Sequence, residues 1–479
     1  MNFTLNMITW EVAAPNPPLK NHTVVSIDQH RLLLFGGFTG TVNVNNVMMF
    51  DARAPAWTEI PTKGTPPSCR NGHTALLVNQ KIVVIGGWAK CSTRLACSDM
   101  FELDLNTWTW NSWPLELPSN MCSAVYSHGL IYVFRGGDGE GYHNDVYTIH
   151  PQTHELAHVE PRGPPPPARA NHAGVLIGDS VYIAGGWNGT KRMNDMHRFH
   201  IPTHTWWEVS TRLPLALSGM TLTHYRMANV KDYIVLYGGD GDHARQEGMP
   251  YRQNKHIYIF DLEKEEWSEH SLDNEEEAEK PYRTGHCLVS FRPDSPEMFL
   301  IGGSCNRVYP QNSIVINLTG FEPNVGISAN GPSLTFEQFF NNDTFSDVRF
   351  RIHGRTVPAH RVVLAQANDR FRLMFSSGFR ESETSEIDIV TDVSYETFYD
   401  MLRYLYTGSL GEGGIRDPIE MLCLSNEYIL PHLKQCCEVA LKAALLPSTV
   451  NDILEYARYY HAEQLALYCI YYRDVLQRN

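Results

Sequence analysis

The chain has 479 residues, 43% of them hydrophobic and 11% aromatic, enough to bury large cores; at ~150 residues per domain this suggests about three domains, fewer if one is a repeat array. Its 39 lysines and arginines stand against 53 aspartates and glutamates, a formal net charge of -14, which argues against nucleic acid or an anionic membrane as the main partner. The first fourteen residues have no basic region and no long apolar core, and no later segment approaches the ~20 apolar residues of a membrane span, so a soluble chain without a signal peptide is expected.

From the N-terminus, an apolar strand followed by Gly-Gly recurs in LLLFGG, IVVIGG, YVFRGG, VYIAGG, IVLYGG and MFLIGG, with doublets starting at Gly36, Gly86, Gly136, Gly185, Gly238 and Gly302. The steps are 50, 50, 49, 53 and 64 residues, and a period near 50 is that of the kelch motif, in which each repeat folds as one four-stranded propeller blade. A second strand and an aromatic follow in four units: VMMFD with Trp57, MFELD with Trp108, MHRFH with Trp206 and IYIFD with Trp267; the third unit has Leu156 instead. Glycine permits close backbone approach and positive φ, and the indole fills space between blades. The sixth unit has no outer-strand Trp, whereas ITWEV around Trp10 has no blade of its own. Residues near 7 to 13 are therefore expected to complete the last blade, closing a six-bladed ring without free sheet edges.

The 21 histidines invite a metal-enzyme reading. However, His22, His73 and His172 each lie 13 or 14 residues before their own doublet, and His224 and His286 occupy similar places, so the repetition favours a structural or rim role over ligation. No Ser/His/Asp set carries a catalytic signature. Ten scattered cysteines form no C-x-x-C pair and read as reduced thiols. Neither enzyme activity nor a metal or other cofactor is expected.

This part of the chain resembles the kelch domains of ubiquitin-ligase adaptors and cytoskeletal proteins. The resemblance implies that substrates bind a face made by the residue after each doublet, here Phe38, Trp88, Asp138, Trp187, Asp240 and Ser304, and by arginines ahead of the inner strands, here Arg70, Arg169 and Arg283. Exposed Trp and Arg commonly anchor interfaces; a packing role for Trp88 and Trp187 at blade edges is the competing reading. The long segment between Gly238 and Asp261 marks an insertion in the fifth blade, and DNEEEAEK, starting at Asp273, reads as a solvated connection.

After residue 319 the grammar changes. Residues 320–333 are rich in Gly, Pro, Asn and Ser and read as a linker. SLTFEQFF then suggests a helix, and SDVRFRI alternates Val348, Phe350 and Ile352 against Arg349 and Arg351, as a half-buried strand does. HG marks a hairpin turn, RTVPAH leads into a helix, and the remainder shows apolar residues at helical spacing.

DVRFRIHGRTVPAHRVVLA, FRLMFSSGFRES and LRYLYTGSL resemble a BTB domain over residues 334–445, an α/β unit, with 446–479 resembling a partial BACK-like helical extension. The order, propeller at 1–319 and then BTB, is similar to that of the leucine-zipper-like transcriptional regulator group of adaptors. The resemblance implies an adaptor that presents a protein substrate to a cullin-3 ubiquitin ligase, with small GTPases among the candidate substrates. It implies cullin contact through Phe379, Arg380 and Glu381, and self-association through Leu334, Phe336, Phe339 and Phe340. It also implies a buried or half-buried charged site of Asp347, His360 and Arg361, and a cytoplasmic location with the nucleus as a second compartment. A cytoskeletal or nuclear scaffold built from the same modules is the alternative.

Overall fold

The computed structural model describes the chain except for residues 1–7, 90–95, 228–230, 242–251, 255, 272–282, 306–307, 319–320, 322–335, 377, 379–380, 382, 411–413 and 477–479. Two compact units divide it, Met1–Phe321 and Glu322–Asn479.

The first unit contains six antiparallel sheets, each built on four principal strands. Their first strands, Thr23–Ser26, Thr74–Val78, Ser123–Ser127, Ala173–Ile177, Leu217–Met227 and Thr284–Val289, touch in that order, and the sixth returns to the first. This closed cycle makes them the innermost strands of a six-bladed propeller. In the last blade Thr9–Pro15 is the outer strand, pairing antiparallel with Asn312–Asn317 and placing Trp10 opposite Ile316. Strands from the two ends of the ring thus share one sheet, and the blade cannot form without both.

The strand pairing corrects one repeat position. Trp57 lies opposite Phe50, Trp206 opposite Phe199 and Trp267 opposite Phe260, and in the second blade the residue opposite Leu103 is Trp110, not Trp108. Trp108 instead occupies the turn, at φ 56°. Trp206 and Trp110 are buried, and the indoles of Trp206 and Trp267 each lie 4.9 Å from the ring of the residue opposite. In the third blade Leu156 takes this place, opposite Ile149.

In the second unit Val348–Ile352 is the central strand of three, antiparallel to Arg355–Ala359 and parallel to Glu386–Asp388. Val348, Phe350 and Ile352 are buried, while Arg349 pairs with Asp343 at 2.6 Å and Arg351 with Glu386 at 2.5 Å on the other face. His353 and Gly354 make the hairpin turn with φ of 49° and 78°. Helices follow at Arg361–Ala367, Asp369–Met374, Tyr395–Thr407, Pro418–Glu427, Pro431–Ala443, Val450–Tyr459 and Glu463–Tyr471. The long helical run beginning at Asp417 breaks after Glu427 and resumes with Pro431 at a helix start, where proline's missing N–H costs nothing. Of SLTFEQFF, the described part forms a single turn of 3-10 helix at Glu337–Phe339 rather than an extended helix.

Candidate binding faces and the residues that hold them

The ring is held by one left-handed residue per blade, just ahead of the inner strand or within its first residues: Asn21, Gly72, Met121, Asn171, Gly219 and Gly285, with φ between 49° and 68°. Their backbones are linked around the axis. Gly72 N–H donates to Asn21 C=O at 2.8 Å, Met121 to Gly72 at 2.7 Å, Asn171 to Met121 at 2.9 Å, Gly219 to Asn171 at 3.1 Å and Asn21 to Gly285 at 2.7 Å. Asn and Gly tolerate this conformation, which explains their recurrence before the histidines. Met121 shows that the backbone position, not the residue type, is what repeats.

The next residue in blades one, two, four and six is His22, His73, His172 or His286, all buried. Each lies opposite the first glycine of its own blade's doublet, and the imidazoles of His22, His73 and His286 lean onto the doublet of the preceding blade. A methyl group at Gly302 would sit 2.3 Å from His22 Cε1 and 2.5 Å from the Leu19 carbonyl oxygen; at Gly238 it would sit 2.3 Å from His286 Cε1. Gly36, Gly238 and Gly302 are therefore glycine because an imidazole occupies the space, while backbone carbonyls of Ser119 and Asn120 stand against Gly86 and Gly136, and Met220 with the Leu217 carbonyl against Gly185. Two imidazoles also meet a threonine of the preceding blade, His73 Nε2 lying 2.9 Å from Thr23 Oγ1 and His286 Nε2 3.1 Å from Thr221 Oγ1. In the fifth blade the residue opposite the doublet is Met220, paired with Gly238, so His224 is not part of the series; its Nε2 lies 2.6 Å from Asp232. Desolvation by burial pushes His73, His172 and His286 down to about 3 and His22 to about 4, with Arg70, Arg169 and Arg283 adding repulsion, so all four are neutral near pH 7. They line an axial cavity of about 180 Å³ together with Asn21, Thr23, Thr74 and Asn171.

The three arginines expected on the binding face are instead interior struts. Arg70, Arg169 and Arg283 are 0%, 1% and 1% exposed. Each donates from Nη1 to the first doublet glycine of its own blade, at Gly86, Gly185 and Gly302, over 2.8 to 3.0 Å. Arg70 also forks onto Asp99 at 2.7 and 3.0 Å and Arg169 onto Asp195 at 2.6 Å through both nitrogens, while Arg283 donates to the Asn312 carbonyl at 2.9 Å. Burial works to raise the Asp195 carboxyl, but the bonds from Arg169 and His197 hold it well below the usual carboxylate range. A buried guanidinium needs this full set of acceptors.

The residue after each doublet sits at one common end of the propeller, paired across to the segment ahead of the same blade's inner strand: Phe38 with Lys20, Trp88 with Asn71, Trp187 with Ala170, Asp240 with Ser218 and Ser304 with Thr284. Phe38, Trp88, Asp138, Trp187 and Asp240 are half-buried and open to partners, whereas Ser304 is buried. Two of the aromatics are backed by cations that the sequence reading passed over. Lys20 Nζ lies 5.8 Å from the Phe38 ring and 5.9 Å from Tyr309, and the Arg192 guanidinium lies 5.7 Å from Trp187. Asp138 accepts from the Glu140 and Gly141 N–H groups and meets His143 at 2.6 Å; against the opposing effect of burial these bonds lower its carboxyl to about 2. Burial raises the Asp240 carboxyl, countered in part by Arg192 and Lys20. Tyr142 and Tyr309 fold over Gly189 and Gly40, the tips of the hairpins in the following blades. The matching runs GGFTGT and GGWNGT were the available signal. The result is a surface of aromatic anchors with carboxylates between them, suited to gripping a folded partner. Among the described residues, no cluster of three or more His, Cys, Asp or Glu is placed to hold a metal ion.

In the second unit, Leu334, Phe379 and Arg380 lie outside the described residues. Phe336, Phe339 and Phe340 are half-exposed but have partners in their own unit. Phe336 N–H donates to the Tyr406 carbonyl at 2.6 Å, the Phe339 ring lies 5.6 Å from His360, and Phe340 lies 4.8 Å from Tyr399 and 5.5 Å from Tyr406. Of the expected charged site, only His360 is buried; Arg361 is half-buried and Asp347 exposed. His360 Nε2 donates to the Thr344 carbonyl at 2.8 Å, and Tyr406 Oη accepts from the His360 backbone N–H at 2.7 Å while lying 3.0 Å from Nδ1. Asp347 accepts from the Arg361 backbone N–H at 2.8 Å, acting at a helix start rather than as a buried counter-ion. The Arg361 guanidinium reaches the carbonyls of Glu381 at 2.8 Å and Thr384 at 2.5 Å.

The last two helices are tied to Pro431–Ala443 by a pair one turn apart. Lys434 Nζ donates to the Tyr460 carbonyl at 2.6 Å, where Val450–Tyr459 ends, and the buried Glu438 accepts from Leu465 N–H at 3.1 Å in the first turn of Glu463–Tyr471. A cation at one helix C-terminus and a carboxylate at the next N-terminus both match the helix dipoles.

A closed propeller with aromatic and acidic side chains at one end, followed by a small α/β unit with half-exposed aromatics, defines a two-module chain. Residues 32–311 match the Attractin/LZTR1 beta-propeller and residues 336–445 the BTB/POZ domain, so the chain belongs to the Attractin/LZTR1 β-propeller family and carries a BTB domain after it. The Leucine-zipper-like transcriptional regulator 1 homolog of Drosophila melanogaster is 23% identical over 482 residues, covering 95% of this chain and 46% of that protein. The Homo sapiens Leucine-zipper-like transcriptional regulator 1 is 29% identical over 269 residues, 53% of this chain and 31% of the relative. Acyl-CoA-binding domain-containing protein 5 of Arabidopsis thaliana is 30% identical over 235 residues, 47% of this chain and 36% of the relative. The chain thus spans about a third to a half of the length of these relatives.

Proposed function

We propose that the chain is a substrate-recognition adaptor of a cullin-3 ubiquitin ligase. The propeller face of Phe38, Trp88, Asp138, Trp187 and Asp240 holds a protein substrate, and the BTB unit recruits cullin-3 and a second copy of the chain. The chain itself transfers nothing; it raises the effective concentration of substrate beside the ligase, and self-association adds avidity. The observation that carries this reading is the propeller and BTB pairing in one chain, 95% of which aligns with the fly leucine-zipper-like relative. The half-exposed aromatics Phe336, Phe339 and Phe340, with the exposed Phe345 and Val362, support self-association. We place the complex in the cytoplasm, with the nucleus as a second location.

The test is co-purification of cullin-3 with the full chain carrying Phe379→Ala and Glu381→Ala together. Loss of cullin-3 with an unchanged melting profile is expected. Undiminished binding would remove the assignment of this surface, and absence of cullin-3 from the unaltered chain would favour a scaffold that uses the same modules without ubiquitin transfer.

A further inference from the structure

We infer that Arg361 is a positioning residue for cullin-3 recruitment: it fixes the backbone of the segment that carries Glu381. This rests on the recruitment reading above. Arg361 is the first residue of helix Arg361–Ala367, and its own N–H is occupied by Asp347 Oδ1 at 2.8 Å. Its guanidinium passes the Asp347 carbonyl, 3.5 Å from Nε, and donates through Nη1 to Glu381 C=O at 2.8 Å and through Nη2 to Thr384 C=O at 2.5 Å. The Phe375 ring supports it from one side, 4.9 Å from the guanidinium carbon. One planar fork therefore spans two carbonyls three residues apart.

The placement matters because Glu381 and Thr384 lie in the connection between Asp369–Met374 and Glu386–Asp388, outside both elements. Upstream, Ser376 N–H bonds the preceding helix at Leu373, and downstream Arg349 N–H bonds Ser385 C=O at the start of the strand. Between those points Arg361 supplies two charge-assisted bonds to the backbone, the strong class of hydrogen bond. Glu381 is half-buried and its carbonyl faces Arg361, so the clamp sets the direction from which the Glu381 side chain meets a partner. A lysine offers a point charge and can satisfy one such carbonyl well, not a fork of two.

The experiment compares the full chain with R361A, R361K and E381A by hydrogen exchange, by calorimetric titration with the N-terminal region of cullin-3, and by melting and molar mass. R361A is expected to speed amide exchange across residues 376–386 and to weaken cullin-3 binding about tenfold, the loss of one to two charge-assisted bonds. R361K is expected to fall between R361A and the unaltered chain, with molar mass and the propeller transition unchanged in both. Unaltered exchange and affinity in R361A and R361K, while E381A weakens binding, would overturn the clamp. If the unaltered chain does not bind cullin-3, the recruitment reading and the recruitment role fail together, and the exchange data alone then show whether Arg361 orders the segment.

Discussion

The buried imidazoles make the propeller sensitive to mild acid in a way that can be worked out. Desolvation holds His22 at about 4 and His73, His172 and His286 at about 3 in the folded chain, against about 6.5 when unfolded. Above pH 6.5 the groups are neutral in both states and acid has no lever. Below it the unfolded chain takes up protons that the folded ring refuses, so stability falls with pH until the folded values are reached. By pH 5.5 the loss is about 1.4 kcal/mol per histidine, roughly 5 to 6 kcal/mol for four, comparable to the whole stability of many domains. The perturbation is His172→Met, because Met220 already occupies the equivalent place in the next blade with its Cε over Gly185. Urea unfolding of the full chain at pH 5.5, 6.0, 6.5 and 7.5, followed by tryptophan fluorescence, should show stability within about 1 kcal/mol at pH 7.5 and a pH dependence shallower by about 1 kcal/mol per unit between 6.5 and 5.5. His30→Met, at an exposed site, should leave the slope as it is. An H172M chain with the full slope of the unaltered protein would refute the reasoning.

Three other outcomes are expected. Arg169→Ala leaves the Asp195 carboxylate buried without its fork and should lower the stability of the propeller by about 3 to 5 kcal/mol, read as a fall in the midpoint of its thermal transition. Gly302→Ala forces a methyl group against His22 and the Leu19 carbonyl at a residue with φ 62°; a cost of at least about 2 kcal/mol should appear as faster hydrogen exchange in the first and sixth blades, with the BTB unit unaffected. Glu438→Ala removes the carboxylate that accepts from Leu465 N–H, costing about 1 kcal/mol, and exchange at residues 463–468 should quicken before that of Tyr395–Thr407.

How much of this was legible in the sequence depends on whether the signal was a side chain or a backbone position. The doublets and the histidines His22, His73, His172 and His286 could be read because the same side chains repeat at the same interval. Met121, at the left-handed site, and Met220, at the histidine site, keep the backbone positions but break the side-chain pattern, and His224, four strand positions farther from the doublet pairing than Met220, took the place of Met220 in the reading. The WTW run at Trp108 to Trp110 offers two indoles for one site, and only strand pairing decides between them. The arginines were misplaced for a different reason: a loop arginine reads as exposed unless its acceptors are known, and Asp99 and Asp195 lie 29 and 26 residues away in sequence. In the BTB unit the alternation of Val348, Phe350 and Ile352 was sufficient to orient the strand, whereas Arg361 gave no sign that its partners are carbonyls beyond the next helix.

The arginine struts also follow a second rhythm within the first. They occur in blades two, four and six, while at the equivalent place, three residues before His22, Cys122 and Met220, blades one, three and five have Leu19, Ser119 and Leu217. The third blade supplies a strut by another route, Arg135 donating to the Pro118 carbonyl at 3.1 Å and pairing with Asp145 at 3.3 Å. Burial of Leu19 and Leu217 at 4% and 0% exposure shows that blades one and five fill the same space with apolar atoms. Two solutions therefore hold one geometry, and both do so from beneath the outer tips. Phe38, Trp88, Asp138, Trp187 and Asp240 can then differ from blade to blade, since the doublets beneath them are fixed by buried imidazoles, thioethers and guanidinium forks. That separation is what the proposed recognition role requires: a frame set by interior contacts, and a choice of partner resting on tip side chains that can change while the frame stays.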